Sequence, residues 1–440
     1  MDVRSPFDGA WIGQAPLAAD ADIELAVKAA RQAFERRIWS GAPLEQRLAV
    51  LERFWRLYTG QGTQLALLSA RQTALPVTAA LELSAQARQA GEARLAMTRT
   101  ALGMGAAGHR GEHRQAGGVV AAFAAWNATQ PSALAWLLPA LLAGCAMILM
   151  LPPACPLDGQ QLGELLAEAG LPDGVLNIIV ADEAACLKMA VHRDVDWVAF
   201  SGRASIGREL SRQCAAQGKP VTLSLDSRAT GILLPDADLG GVVSALRPRL
   251  FMASGQAPSN PSRLLAPRHR QAEFIEALTA MARTLQVGDP SDPATMIGPL
   301  ISEESSARAG SAIAQALAAG ASLALGRQGD AREPRAFMGA TVVANVSADM
   351  ALVRQEPRAP LAVVIPYGDL DEAIAMANSL PGRPSAAVWS EEPTIAQAVA
   401  IRLQAGHVAL NPKVLAADLA AVGQERRALF SHVQVVTPEA

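Results

Sequence analysis

The chain has 440 residues, half of them apolar, and a formal net charge of −3. That length can bury a large core and suits two domains, and the lack of a basic excess argues against nucleic acid as a partner. The four cysteines (Cys145, Cys155, Cys186 and Cys214) show neither metal-ligand spacing nor a dense disulfide pattern. Free, mostly buried thiols in a cytoplasmic protein are therefore expected, with no metal.

Met1 to Arg4 opens onto polar, turn-rich sequence with no secretory pattern. Apolar residues then recur at helical spacing over Ile23–Phe34, Arg47–Leu57 and Leu65–Leu75, which predicts a helix-rich front. Ala133–Leu151 is an uncharged run of 19 residues, long enough to raise a membrane span. Pro139 and Gly144 are expected to divide it into a helix and a strand, so it reads as core and not as membrane. From Val119 onward the apolar runs VVAAFAA, AMILML, VLNIIV, DWVAF and TLSL alternate with helical stretches such as Leu157–Ala169 and Cys186–Val191. Strand and helix in series predict an α/β fold with a parallel sheet. A second series predicts helices at Phe274–Leu285, Ala307–Ala319, Asp371–Ser379 and Thr394–Ala405, with strands near Ala340–Val346, Leu361–Pro366 and HVALN.

Gly103 to Gly108 matches GxGxxG, but a helical stretch precedes it and no helix start follows, so it reads as a chance glycine loop. The more informative stretch is Phe251–Arg263, FMASGQAPSNPSR. With Ala125-Trp126-Asn127, GLPDGVLN at 170–177, DWVAFSGRASIG at 196–207, Val221–Asp238, VGDPSDPATMIGPLI at 287–301 and QEPRAPL at 355–361, it falls in the order of the motifs of one family. The chain resembles the aldehyde dehydrogenase superfamily from about Ser5 to Val436. The resemblance implies two Rossmann-like parallel-sheet domains plus a small β oligomerisation element. Residues 1–105 and 118–223, with about 406–424, would form the cofactor-type domain and 224–405 the catalytic-type domain. Residues 106–117 and 425–440 would form a reduced oligomerisation element.

The same resemblance exposes departures at the family's working positions. Pro258 stands where the family has its nucleophilic cysteine, and proline offers neither a nucleophile nor a backbone N–H. Ser224 stands at the general-base glutamate, and a hydroxyl does not hold a proton near neutral pH as a tuned carboxylate does. Asn127 matches the oxyanion donor. Asp226 and Ser227 replace paired glycines beside the nicotinamide. Met150-Leu151-Pro152-Pro153 replaces the KPSE segment that holds the adenosine ribose, and Ala181-Asp182-Glu183 replaces a glycine–proline turn. The cofactor contacts that the resemblance leaves are Trp126, Gly202, Arg203 (in place of a serine) and the ribose-binding glutamate, Glu356, while Arg358 replaces a phenylalanine.

These departures favour a protein that keeps the fold and has lost aldehyde oxidation. On that expectation it binds no cofactor, with weak NAD or NADP binding left open, and serves as a structural or regulatory subunit. It would assemble with itself or with an active aldehyde dehydrogenase. One alternative is an active oxidoreductase with a displaced nucleophile, such as Ser259, Ser254 or a distant cysteine. The other is an anion- or nucleotide-binding protein that uses Arg203, Arg228 and Arg358 in the old cofactor cleft.

Overall fold

The structure, a computed structural model, describes residues 1–103, 112–225, 229–257, 260–326, 336–355, 357–379, 385–413 and 430–435. A hairpin of β1 (Asp2–Arg4) and β2 (Trp11–Gln14) leads into α1 (Asp20–Glu35), α2 (Leu44–Gly60), α3 (Gly62–Thr73) and α4 (Val77–Gly103). Then β3 (Glu112–Ala116) precedes the first large sheet, whose elements alternate without interruption. They are β4 (Val119–Phe123), α5 (Thr129–Ala143), β5 (Ala146–Leu151), α6 (Leu157–Glu168), β6 (Leu176–Val180), α7 (Glu183–Ala190), β7 (Trp197–Gly202), α8 (Ala204–Ala216) and β8 (Val221–Leu225). The five strands are parallel in the order β6-β5-β4-β7-β8, with β4 and β5 buried along their whole length. Continuous apolar strands are what a sheet covered on both faces requires. One face packs on α2, α5 and α6, and the other on α1, α7 and α8.

The second sheet is built from β9 (Thr230–Leu233), α9 (Leu239–Leu246), β10 (Arg263–Pro267), α10 (Gln271–Arg283), α11 (Glu303–Ala318), β11 (Ser322–Leu325) and β12 (Thr341–Ala344). It continues through α12 (Ala351–Gln355), β13 (Leu361–Tyr367), α13 (Leu370–Asn378), β14 (Ala386–Trp389), α14 (Pro393–Arg402) and β15 (Val408–Leu410). Its order is β11-β12-β13-β10-β9-β14-β15, parallel except for β11 at the edge. Last comes β16 (Ser431–Val435), which pairs antiparallel with β3 in a two-stranded sheet of its own.

The 133–151 run divides as expected into α5 and β5, with the break at Gly144 (φ 91°) and Pro139 inside α5. As its neighbours Leu138 and Ala140 are fully enclosed, packing supports a proline that an isolated helix would not tolerate. Val408–Leu410, placed by sequence with the cofactor-type domain, instead pairs with β14 in the second sheet, because its backbone completes that sheet's edge. Among the described residues no helix is long and apolar enough to cross a membrane.

Candidate active site

Phe251–Ala257 and the turn after β4 meet at the centre of the molecule. Trp126–Ala128 forms one turn of 3₁₀-helix at the carboxyl end of β4, and this turn buries Asn127 to 2 % exposure. The Asn127 amide donates from Nδ2 to the carbonyl of Gln256 at 2.8 Å. The two motifs are therefore in contact, two residues ahead of position 258. Around Asn127 a small pocket is lined by Ser69, Thr73, Leu83, Trp126 and Gln130, among others, and no charged side chain lines it.

The 251–257 segment is held from every side. Ala253 and Ser254 both take left-handed backbone angles (φ 55° and 56°), a strain that persists only where surroundings enforce it. Gly255 has φ +72°, and a Cβ there would fall 1.7 Å from the Ala359 carbonyl, so only glycine fits against the QEPRAPL segment. Arg358 clamps the same junction by donating from Nη1 to the Ala257 carbonyl at 3.1 Å. Gln256 is fully buried, and its Oε1 accepts from the Ile301 N–H at 3.0 Å. Asn260 donates to the Met252 carbonyl at 3.0 Å.

This packing decides several candidates. Ser254 is not a nucleophile in reach: its hydroxyl donates to the Gly298 carbonyl and accepts from the Gly298 N–H, each at 2.9 Å, and it has no exposed surface. The cysteines do not serve either. All four are free and buried. Burial pushes the Cys145 thiol up to about 12 and raises Cys155, Cys186 and Cys214 as well, which disfavours the thiolate at all four. Cys155 lies near Asn127 in space but is tied to the Thr129 hydroxyl (2.9 Å) and the Trp126 carbonyl (3.2 Å). Ser224 lies in β8, opposite Ser201. Pro258, Ser259, Asp226, Ser227, Arg228 and Glu356 lie outside the described residues.

Beneath the pocket sits a polar cluster that the sequence did not reveal. Asp158, at 1 % exposure, accepts hydrogen bonds from Ser69 (2.5 Å), Gln72 (3.2 Å), Gln130 (3.3 Å) and the Gly159 N–H (3.0 Å). Desolvation raises its carboxyl above the usual 3.8 despite those donors. Tyr58 extends the network by donating to Gln130 at 3.2 Å. The cluster ties α2, α3, α5 and α6 together.

The carboxyl edge of the first sheet is a second candidate region. In open α/β sheets a dinucleotide lies outside the strand ends, with its pyrophosphate at a helix N-terminus. Here Gly202 ends β7 at φ +153°, where a Cβ would meet the Phe200 ring at 2.8 Å. Arg203 is the N-cap of α8, and no side chain caps that helix. First-turn N–H groups beside a guanidinium form a donor set that suits a pyrophosphate. The ribose end is plainer: β5 runs into Pro152-Pro153, which offers only carbonyls. The residues therefore fit the dinucleotide at its phosphates. Trp126, in the turn after β4, borders the Asn127 pocket.

Comparison with known proteins fixes the lineage. A profile of the aldehyde dehydrogenase family matches residues 1–424. The chain belongs to the aldehyde dehydrogenase family. It is 31% identical to a geranial dehydrogenase of Castellaniella defragrans, over 91% of this chain and 85% of that one. It is 31% identical to a 3-succinoylsemialdehyde-pyridine dehydrogenase of Pseudomonas sp, over 94% and 87%. An aldehyde dehydrogenase of Mycobacterium tuberculosis in complex with NAD+ superposes with a TM-score of 0.90 at 30% identity, covering 99% of this chain and 94% of that one. A cysteine-to-alanine variant of a Pseudomonas syringae aldehyde dehydrogenase, in complex with NAD+ and octanal, gives 0.88 at 28% identity, with 99% and 92% covered.

These findings correct the expectation of an inactive, cofactor-free structural or regulatory subunit. The relatives are named as dehydrogenases and the structural neighbours hold NAD+, which points to an enzyme that binds NAD(P). The expectation erred by treating altered side chains as lost functions. The Pseudomonas syringae variant shows that cofactor and aldehyde can both be bound with a cysteine replaced, which concerns binding and not turnover.

Proposed function

We propose that the protein is an NAD(P)-dependent oxidoreductase that oxidises an aldehyde beside Asn127 without a cysteine at position 258. The observation that carries this reading is Asn127 itself, buried, bonded to the Gln256 carbonyl and bordering the pocket. Its amide has two N–H groups, and the one not spent on Gln256 is the donor for a substrate oxygen that gains negative charge. With Ser254 and the four thiols engaged or enclosed, and Ser259 outside the described residues, we take the attacking oxygen from water, with the aldehyde hydrate as the substrate form. NAD(P)+ would supply the hydride acceptor when bound, and oxidation of the hydrate to the carboxylic acid releases one hydroxyl proton to water. The chain's part is to hold the hydrate, through Asn127, and to seat the phosphates, through Arg203 and the first turn of α8.

The hydrate route makes a specific demand on rates. Across aldehydes of similar size, turnover should follow the fraction hydrated in water, and reduced nicotinamide should form in equal amount with the acid. Rates that ignore hydration would sink the route, and no reduced nicotinamide with any aldehyde would sink the activity. We also infer self-association through the β3–β16 pair. It stands apart from both large sheets, and a two-stranded sheet leaves outer edges open to another chain. The four free cysteines support a reducing, cytoplasmic setting.

A further inference from the structure

The carboxyl edge of the first sheet carries an ion pair at the place a dinucleotide needs. Arg203, after β7, binds the carboxylate of Glu183, the first residue of α7, through Nη2 and Oε1. The two helices lie side by side on one face of the sheet, so the pair bridges their N-terminal ends. Both side chains are about half exposed (54% and 53%), so the contact can open without unfolding anything. The two ends differ in one respect. The Asp182 side chain already caps α7 by accepting from the Ala185 N–H at 3.0 Å, whereas no side chain caps α8. The first-turn N–H groups of α8 therefore meet no competing side-chain cap, and they lie beside the guanidinium that Glu183 holds.

We propose that the Arg203–Glu183 pair is a latch on the dinucleotide crevice, and that Arg203 exchanges the Glu183 carboxylate for the pyrophosphate when NAD(P) binds. The inference rests on the NAD(P) reading above. The exchange conserves charge pairing for the arginine and leaves Glu183 to solvent, which an exposed carboxylate tolerates at little cost. Glu183 thus competes with the cofactor, and Arg203 serves it. Arg203 is here a positioning residue for the phosphates.

Calorimetric titration of the full-length protein with NAD+ and, separately, NADP+ tests this without recourse to turnover. Glu183→Gln should tighten both cofactors by roughly three- to tenfold, since it frees the guanidinium. Arg203→Ala should weaken both by about tenfold, and the double variant should match Arg203→Ala, because Glu183 acts only through Arg203. Binding by Glu183→Gln where the unaltered protein gives no heat would support the latch most strongly. Binding by all four proteins with equal affinity would overturn the latch while leaving the NAD(P) reading intact. A gain confined to NADP+ would overturn the assignment to the pyrophosphate. Silence from all four would overturn the latch and the NAD(P) reading together. Unchanged melting temperatures identify the variants as folded.

Discussion

The loop at 251–257 and the sheet edge at 182–203 are built in opposite ways. In the loop, Gly255, Gln256 and Ser254 have almost no exposed surface, and their polar atoms are committed to Gly298, Ile301 and Asn127. At the edge, Arg203 and Glu183 are half exposed and hold only each other across two helix ends. The contrast separates what the fold enforces from what it leaves adjustable. Close packing makes any volume change costly, so the loop is kept by steric demand. Exposed charges contribute little to stability, so the edge is free to change partners.

The contrast breaks most easily at Gly255. Replacing it with alanine drives a Cβ into the Ala359 carbonyl at a positive φ, and a loss of roughly 4 kcal/mol or failure to fold is expected. Urea titration would measure it, and a stable Gly255→Ala protein would mean the loop is looser than described. Asn127→Ala comes next, with turnover falling roughly 100- to 1,000-fold while the melting temperature moves by only the loss of one hydrogen bond, about 1 kcal/mol. Steady-state rates beside a melting curve separate the two effects.

Asp158→Ala should cost about 2–3 kcal/mol by stranding Ser69 and Gln72 without their acceptor, while Gln130 keeps the Leu65 carbonyl and the Ser69 hydroxyl. Asp158 also sets a pH dependence with a definite sign. Its folded carboxyl titrates above the usual 3.8 because burial penalises the charge. The folded state then holds the proton more tightly than the unfolded state does. That contribution is complete below the ordinary value and is lost as pH rises through the raised one. Melting curves against pH should show unaltered protein losing stability over that window relative to Asp158→Asn. Smallest of all is Arg203→Ala, expected to leave stability within about 0.5 kcal/mol. A larger loss would place the edge with the rigid loop.

Much of the fold was legible in order. The apolar runs VVAAFAA and AMILML are β4 and β5, and Leu157–Ala169 anticipates α6. The long α4 was read only at its end, since Gly91 interrupts the pattern. That glycine is a packing notch, where a Cβ would lie 2.0 Å from the Trp55 ring. Strands β9 and β10 escaped because Gly231 and Pro267 blur short runs that only the parallel neighbours complete. In the site, Asn127 and Gly255-Gln256 were visible through motif spacing. Arg358 on Ala257 and Arg203 on Glu183 were not, because nothing local in the sequence encodes a pairing across 101 or 20 residues. The Asp158 cluster gathers from four helices and carries no motif. Reading Pro258 and Ser224 as the end of catalysis was the larger error, because it took a family's side-chain roles for the whole of its chemistry.

The most direct test of an aldehyde oxidoreductase that works without a thiol is a single assay on the purified protein. Reduced nicotinamide and carboxylic acid would be followed together from a strongly hydrated aldehyde, before and after treatment with a thiol alkylating agent. Equal amounts of both products, formed at a rate that alkylation leaves unchanged, are predicted. Abolition of the rate by alkylation would contradict the thiol-free chemistry, and no products in either sample would contradict the activity itself.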